Sequence, residues 1–180
     1  YGHDAENELD ENSSVTEDFL ANLCKDWEAS VIDRSESYER AIILRIGLVL
    51  GRDGGMMNKL VPLFKLGLGG KLGSGNFYMS WIHVTDLART FVRSLEDSAM
   101  NGVYNATSPF PVKNAEFTKV LANTVRKPAH FNVPKFVLRT VVGEMAEYMT
   151  KGARVMPKKL KEENFHFIYP TIERAIKDVV

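Results

Sequence analysis

The segment Ser80-Trp81-Ile82-His83-Val84-Thr85-Asp86-Leu87-Ala88-Arg89 constrains the fold more than any other stretch of this sequence. Trp81, Ile82 and Val84 are strand formers, and no glycine or proline separates them from the helical pattern that follows. Leu87, Phe91 and Leu95 recur at i, i+4 and i+8, one apolar helix face. Thr85 or Asp86 can cap that helix by accepting a backbone N–H bond. A strand that runs straight into a helix is a βα unit. The pattern predicts that Trp81, Ile82, Val84, Leu87 and Phe91 share one core with Val103 and Phe117.

A second segment predicts the sheet. Ala41 to Gly51 is an almost continuous apolar run, and a strand apolar on both faces suits the inside of a covered parallel sheet. Leu44–Leu50 is therefore expected as a buried central strand flanked by helices. Elsewhere, residues 3–15 read as an acidic loop, and Ser14-Val15-Thr16-Glu17 as a capping box. The helix it opens turns Phe19, Leu20, Leu23, Cys24 and Trp27 to one face. Leu60–Leu66 is a short helix or strand, Gly102–Ala106 a short strand, and Asn114 the cap of a helix. Val133-Pro134 opens another helix, a further helix surrounds Leu160, and the last carries Ile172, Ile176 and Val179.

Charge is unevenly spread. Residues 1–40 hold twelve acids and three bases, a net −9 in a chain whose total is zero. The expected form is a solvated loop and helix face, with an acidic arm docked in trans as the alternative. One cysteine, Cys24, excludes an internal disulfide and suits a reducing compartment, cytoplasm or organelle stroma or matrix. No stretch approaches the roughly 20 apolar residues of a membrane span. The chain opens on Tyr1-Gly2 and is expected to start inside a longer protein.

The ordered motifs resemble a known family. Ile82-His83-Val84 with Asp86-Leu87-Ala88 resembles a signature of extended short-chain dehydrogenase/reductases, in their epimerase-like branch. Leu44-Arg45 with Val49 and Gly51 resembles that superfamily's strand ahead of the substrate region. Asp53-Gly54-Gly55, Phe64 to Gly70, Leu72-Gly73-Ser74-Gly75, Asn114 to Phe117 and Pro157 to Leu160 follow in order. Together they resemble an atypical NAD(P)-binding epimerase family with a C-terminal module of unassigned function. The resemblance implies an α/β fold: the C-terminal part of a Rossmann-like doubly wound parallel sheet plus a smaller mixed substrate lobe. Residues 1–52 would be the second half of the cofactor domain and 53–180 the substrate lobe, with 81–97 packing back on the former. It also implies that Arg45, Ile46, Gly47 and Leu48 lie near the nicotinamide of NADP or NAD.

The same resemblance exposes departures. No Gly-x-Gly-x-x-Gly or Gly-x-x-Gly-x-x-Gly turn opens a helix; Gly67, Gly70 and Gly73 have the second spacing but lead into a strand. The chain alone is therefore expected not to hold the dinucleotide. The family's catalytic tyrosine and lysine, four residues apart on one helix face, have no counterpart at any tyrosine here. If Glu28 stands at the family's glutamate, Leu20 takes the tyrosine place and Cys24 the lysine place. No catalytic residue is assigned; Cys24 reads as a small hydrophobe and His83 as a hydrogen-bonded core residue. Sugar-nucleotide epimerases place a pyrophosphate-gripping arginine three residues before the isoleucine, where this chain has Met79.

The candidate substrate contacts are Asn58, Lys65, Met79 and Trp81. Lys59 and Lys71 are further polar candidates, and solvated loop residues are the alternative for all the lysines. No metal site is expected. The reading is a protein acting with NAD(P) on a small-molecule substrate as an oxidoreductase or epimerase. The alternative is a non-catalytic NAD(P)-binding regulatory or interaction protein. No nucleic acid or membrane is expected as partner, since no stacking aromatics interleave with Lys158, Lys159 and Lys161; a homodimer is left open.

Overall fold

The computed structural model describes residues 1, 7–33, 39–133 and 151–180. They form a mixed α/β structure in which short parallel strand pairs alternate with helices. In chain order the elements are β1 (Glu8–Leu9), α1 (Phe19–Ile32), β2 (Ile42–Ile46), β3 (Leu48–Leu50), α2 (Gly55–Lys65), β4 (Gly70–Leu72), β5 (Tyr78–Met79) and β6 (Trp81–His83). They continue as α3 (Val84–Glu96), β7 (Gly102–Ala106), β8 (Val112–Lys113), α4 (Asn114–Val125), β9 (Phe131–Val133), β10 (Arg154–Val155), α5 (Lys158–Glu162) and α6 (Ile172–Val179). β2 pairs with β7, β3 with β6, β1 with β10 and β4 with β9, all parallel. β5 and β8 are antiparallel. The helix expected at Val133-Pro134 lies outside the described residues.

The apolar run at 42–50 is two strands, where one was expected. The chain changes partner at Gly47: its N–H donates to Ala106 at the end of β7, and the next N–H, of Leu48, donates to the Ser80 carbonyl ahead of β6. A Cβ on Gly47 would stand 2.7 Å from the Ser80 carbonyl oxygen and 2.9 Å from a Thr107 methyl. Only glycine allows the two ladders to diverge from one point. Leu44 is half-buried and Ile46 is 48% exposed, so the run is not the fully buried strand its composition predicts. Among the described residues, β2 has a partner on one edge only.

The main core lies where α2, α4 and α6 pack around β3 and β6. Leu50, Met57, Phe64, Trp81, Phe117 and Leu121 meet Ile172, Ala175, Ile176 and Val179 there. Trp81 is wholly buried and donates its indole N–H to the Phe110 carbonyl at 3.1 Å.

α3 reverses the expected orientation. Val84, Phe91 and Leu95 are exposed, and the buried positions are Asp86, Thr90 and Ser94. The cause is Asp86. Its fully buried carboxylate accepts the backbone N–H groups of Ile168 and Tyr169, both at 2.9 Å. Arg89 pairs with the same carboxylate and donates to the His166 carbonyl, and Arg93 donates to the Glu163 carbonyl. The helix turns its polar face to the C-terminal segment because that segment offers backbone dipoles to satisfy. Capping passes to His83, whose Nδ1 accepts from Thr85 N–H at 3.2 Å. The other ring nitrogen lies 3.2 Å from Asp178, whose second oxygen accepts the Tyr169 hydroxyl at 2.8 Å, and the Tyr169 ring lies 3.8 Å from the imidazole.

The N-terminal acidic stretch is docked within the chain. Glu8 pairs with Arg154, Asp10 with Lys158 and Glu28 with Arg45. Residues 8–9 form a strand in place of the expected loop, because β10 supplies a parallel partner. Asp18, and not the Ser14 box, caps α1 by accepting from Ala21 N–H at 3.0 Å. Asn114 is the first helical residue of α4, and its carboxamide oxygen accepts from Leu72 N–H, joining α4 to β4.

Two outcomes follow for stability. Asp86→Ala leaves two backbone N–H groups without their acceptor and should cost about 2–6 kcal/mol, at about 1–3 per unsatisfied group; urea unfolding of the complete protein measures it. Burial holds the His83 imidazole below the ordinary histidine value of about 6.5, against the pull of Asp178. The unfolded chain then binds the proton more readily than the folded one, so stability should fall as pH drops from 7 towards 5. The slope should flatten in His83→Gln, read as unfolding midpoints across pH.

Candidate functional site

Arg45 organises one end of a cavity of about 1190 Å3. Its Nε and one Nη donate to the two oxygens of Glu28, both at 2.7 Å. This fork ties β2 to α1 and fixes which residues of α1 turn towards the sheet. The bond with Glu28 holds the guanidinium proton more firmly than in an ordinary arginine. Arg45 also lies over the Tyr1 ring at 4.9 Å, and the Tyr1 hydroxyl donates to the Asn105 carboxamide oxygen at 2.8 Å. Burial raises the Tyr1 phenol above its usual range. Asn105 donates its side-chain N–H to the Met156 carbonyl and its backbone N–H to Glu11. Among the described residues, Oε2 of Glu11 and one Nη of Arg45 are buried without a hydrogen-bond partner.

Three walls complete the cavity. Leu20, Cys24, Lys25 and Glu28 come from α1; Met56, Leu60, Leu63 and Phe64 come from α2; Tyr78 and Met79 come from β5, with Asn114 and Phe117 behind them. Arg45, Ile46, Gly47 and Leu48, grouped by the sequence, all line it. Of the candidate substrate contacts only Met79 does. Trp81 is committed to the core, and Asn58 and Lys65 are exposed on α2 away from the lining, as is Lys59; Lys71 also stays outside it. Cys24 lines the cavity and is exposed: the lysine place the resemblance gives it implies the cleft edge of the α1 stripe, while its apolar neighbours suggest a buried small hydrophobe. Phe19 and Trp27 are likewise exposed, because no described element covers that side of α1. Among the described residues no three His, Cys, Asp or Glu side chains gather as metal ligands, and no helix is long and apolar enough to cross a membrane.

The polar group of Tyr1, Arg45, Glu28, Asn105 and Glu11 escaped the sequence reading. Its members come from separate stretches of chain with no common spacing. Only the Glu28–Arg45 pair left a trace, through the helix position the resemblance gives Glu28.

Comparison with known proteins gives this geometry a family. A domain model described as a domain of unknown function (DUF1731) matches residues 133–179. The chloroplastic epimerase family protein SDR39U1 homolog of Arabidopsis thaliana is 36% identical over 180 residues, which is 100% of this chain and 52% of that protein. A crystal structure of human epimerase family protein SDR39U1 (isoform 2) with NADPH superposes with a TM-score of 0.91 at 32% identity, over 99% of this chain and 61% of that one. This chain belongs to the atypical, epimerase-like extended short-chain dehydrogenase/reductases. A second solved relative, a nucleoside-diphosphate sugar epimerase from Corynebacterium glutamicum, is 33% identical with a TM-score of 0.77, over 98% of this chain and 34% of that one. The chain spans little more than half the length of the curated relatives it matches.

In this chain Gly69 and Gly70, within the glycine-rich stretch 67–75, serve packing. A Cβ on Gly69 would meet the Phe64 ring at 2.5 Å, and one on Gly70 the Phe131 carbonyl at 2.0 Å. These two glycines bring β4 against α2 and β9. The glycine at the ladder junction is also closely enclosed. Gly47→Ala should lower stability by at least the roughly 1–3 kcal/mol of an overpacked core, read as a shift in the urea midpoint of the complete protein.

Proposed function

We propose that the complete protein carrying this chain binds NAD(P)H and acts as an oxidoreductase or epimerase on a small carbonyl or hydroxyl compound in this cavity. The observation that carries the reading is the bidentate Arg45–Glu28 pair. It sets α1 against β2 so that Cys24 and Leu20 border the same cavity as Ile46, Gly47 and Leu48. We take residues 1–52 as the second half of the cofactor domain and 53–180 as the substrate lobe, with 81–97 packing back on the cofactor side. The apolar face of α1 and the edge of β2 that has no partner among the described residues suit coverage by further residues of a complete protein as long as its relatives.

The residues present fit one end of the cofactor. Ile46, Gly47 and Leu48 give an uncharged, mostly apolar surface, which suits a nicotinamide ring and not its phosphates. The cofactor would supply hydride transfer to or from carbon. The chain's own residues would hold the ring against β2, and Leu60 and Phe64 would keep water from the reacting carbon. The Tyr1 hydroxyl and the Asn105 carboxamide are within reach of the Arg45 end and can carry a hydrogen bond, but no tyrosine–lysine pair is available to move the proton. That absence supports the second reading, a protein that binds NAD(P)H without turning it over. Its single free thiol suits a reducing compartment.

NADPH binding to the complete protein, followed by fluorescence, and NADPH oxidation with a panel of carbonyl compounds test the two readings. Binding with turnover supports the first; binding without turnover supports the second. Cys24 lines the cavity and, among the described residues, has no hydrogen-bond partner to activate it, so Cys24→Ser should keep turnover within about tenfold, a barrier change of roughly 1.4 kcal/mol. A loss of several orders of magnitude at unchanged NADPH affinity would make the thiol a catalytic group.

A further inference from the structure

The wall of the cavity built from α2 and β5 has a chemistry of its own. Met56, Leu60, Leu63, Phe64, Leu68 and Met79 reach it from α2, the turn after it and β5. Two of the polar side chains among them, Asn114 and Ser80, are already spent on the protein. The Asn114 carboxamide accepts from Leu72 N–H at 2.9 Å and turns its N–H to the Met79 sulfur at 3.4 Å. The Ser80 hydroxyl donates to the Ala153 carbonyl at 2.7 Å and accepts from Val155 N–H at 2.9 Å. The Tyr78 ring is flanked by Lys113 and Arg154, each 5.5 Å from its centroid, and Arg154 is paired with Glu8. Across the cavity, Arg45 is held by Glu28. Lys25 and Lys151 also reach the cavity, from α1 and from the segment ahead of β10.

A nucleoside diphosphate sugar brings two adjacent phosphates, and burying them requires a matched cationic fork. Among the described residues, the two lysines come from separate elements and are point charges without that geometry, and the β5 side of the wall carries the thioether of Met79. Resting on the oxidoreductase reading, we infer that the α2–β5 wall takes the apolar body of an uncharged carbonyl compound, an alkyl or aryl-alkyl aldehyde or ketone, and not a phosphorylated sugar. The wall contributes contact area and water exclusion; specificity comes from chain length and bulk, with orientation left to the polar groups at the Arg45 end.

Calorimetry on the complete protein with hexan-2-one, octan-2-one and decan-2-one, with and without NADPH, tests this, with UDP-glucose as the phosphorylated probe. Affinity should rise about fourfold for each added CH2 that is fully buried, and UDP-glucose should fail to displace decan-2-one. Leu63→Gln changes an exposed cavity residue outside the buried core, and should weaken decan-2-one about tenfold. Lys119→Gln, on the outer side of α4, should leave it unchanged. A flat ketone series, an unaffected Leu63→Gln, or UDP-glucose binding more tightly than decan-2-one overturns the inference. Absence of NADPH binding alongside an intact ketone series would count against the oxidoreductase reading alone.

Discussion

The close approach of Gly47 to the Ser80 carbonyl is the constraint on which the rest depends. A parallel strand normally keeps one neighbour along its length. Here the chain leaves β7 and joins β6 within a single residue, and the two partners diverge on either side of it. One partner, β7, carries Asn105 and so the polar end of the cavity. The other, β6, runs directly into α3 and so fixes the helix that receives the C-terminal segment. The cavity is the space left where the ladders part. Its polar end is set by Asn105 on β7, and its apolar end by α2 and β5.

The second organising element is the buried Asp86 carboxylate. An isolated buried charge is costly, and this one is compensated by two backbone N–H groups and a guanidinium. The compensation comes from a segment some eighty residues away in sequence, so the charge acts as a positional marker: the C-terminal stretch can sit in one register only. The helix α6 that follows then reaches the main core, and Asp178 near its end closes back on His83. A module without an assigned role in its family thereby forms part of the structural core of the chain it ends.

Much of the architecture was legible in the sequence. The α/β class, the βα unit at 81–96, the strand at 102–106 and the amphipathic last helix all follow from local periodicity, because one face of each meets a core. What was not legible was orientation. α3 has an apolar stripe at good helical spacing, yet its buried side is Asp86, Thr90 and Ser94. Periodicity identifies a face but not the side on which the partner stands, and here the described partner is polar backbone. The split of the 42–50 run was hidden for a similar reason: a change of strand partner leaves no mark in composition, only a glycine. Of the candidate site, Arg45, Ile46, Gly47 and Leu48 border one cavity across the β2–β3 junction, since neighbours in sequence remain neighbours in space. Asn58, Lys65 and Trp81 were chosen by residue type, and type alone does not say which way a helix or strand turns.

The pairing of β1 with β10 carries a consequence for biogenesis. Asp10 and Lys158 meet across 148 residues of sequence, and the two-residue ladder beside them joins equally distant parts of the chain. On a ribosome adding about 5–20 residues per second, the early strand would wait roughly 7–30 s for its partner. During that interval it cannot be protected by its own fold. The surplus of carboxylates around it offers another form of protection, since mutual repulsion between nascent chains discourages premature strand pairing between them. The acidity at the front of the sequence would then serve synthesis first, and become an ion-pair clasp only when the last quarter of the chain arrives.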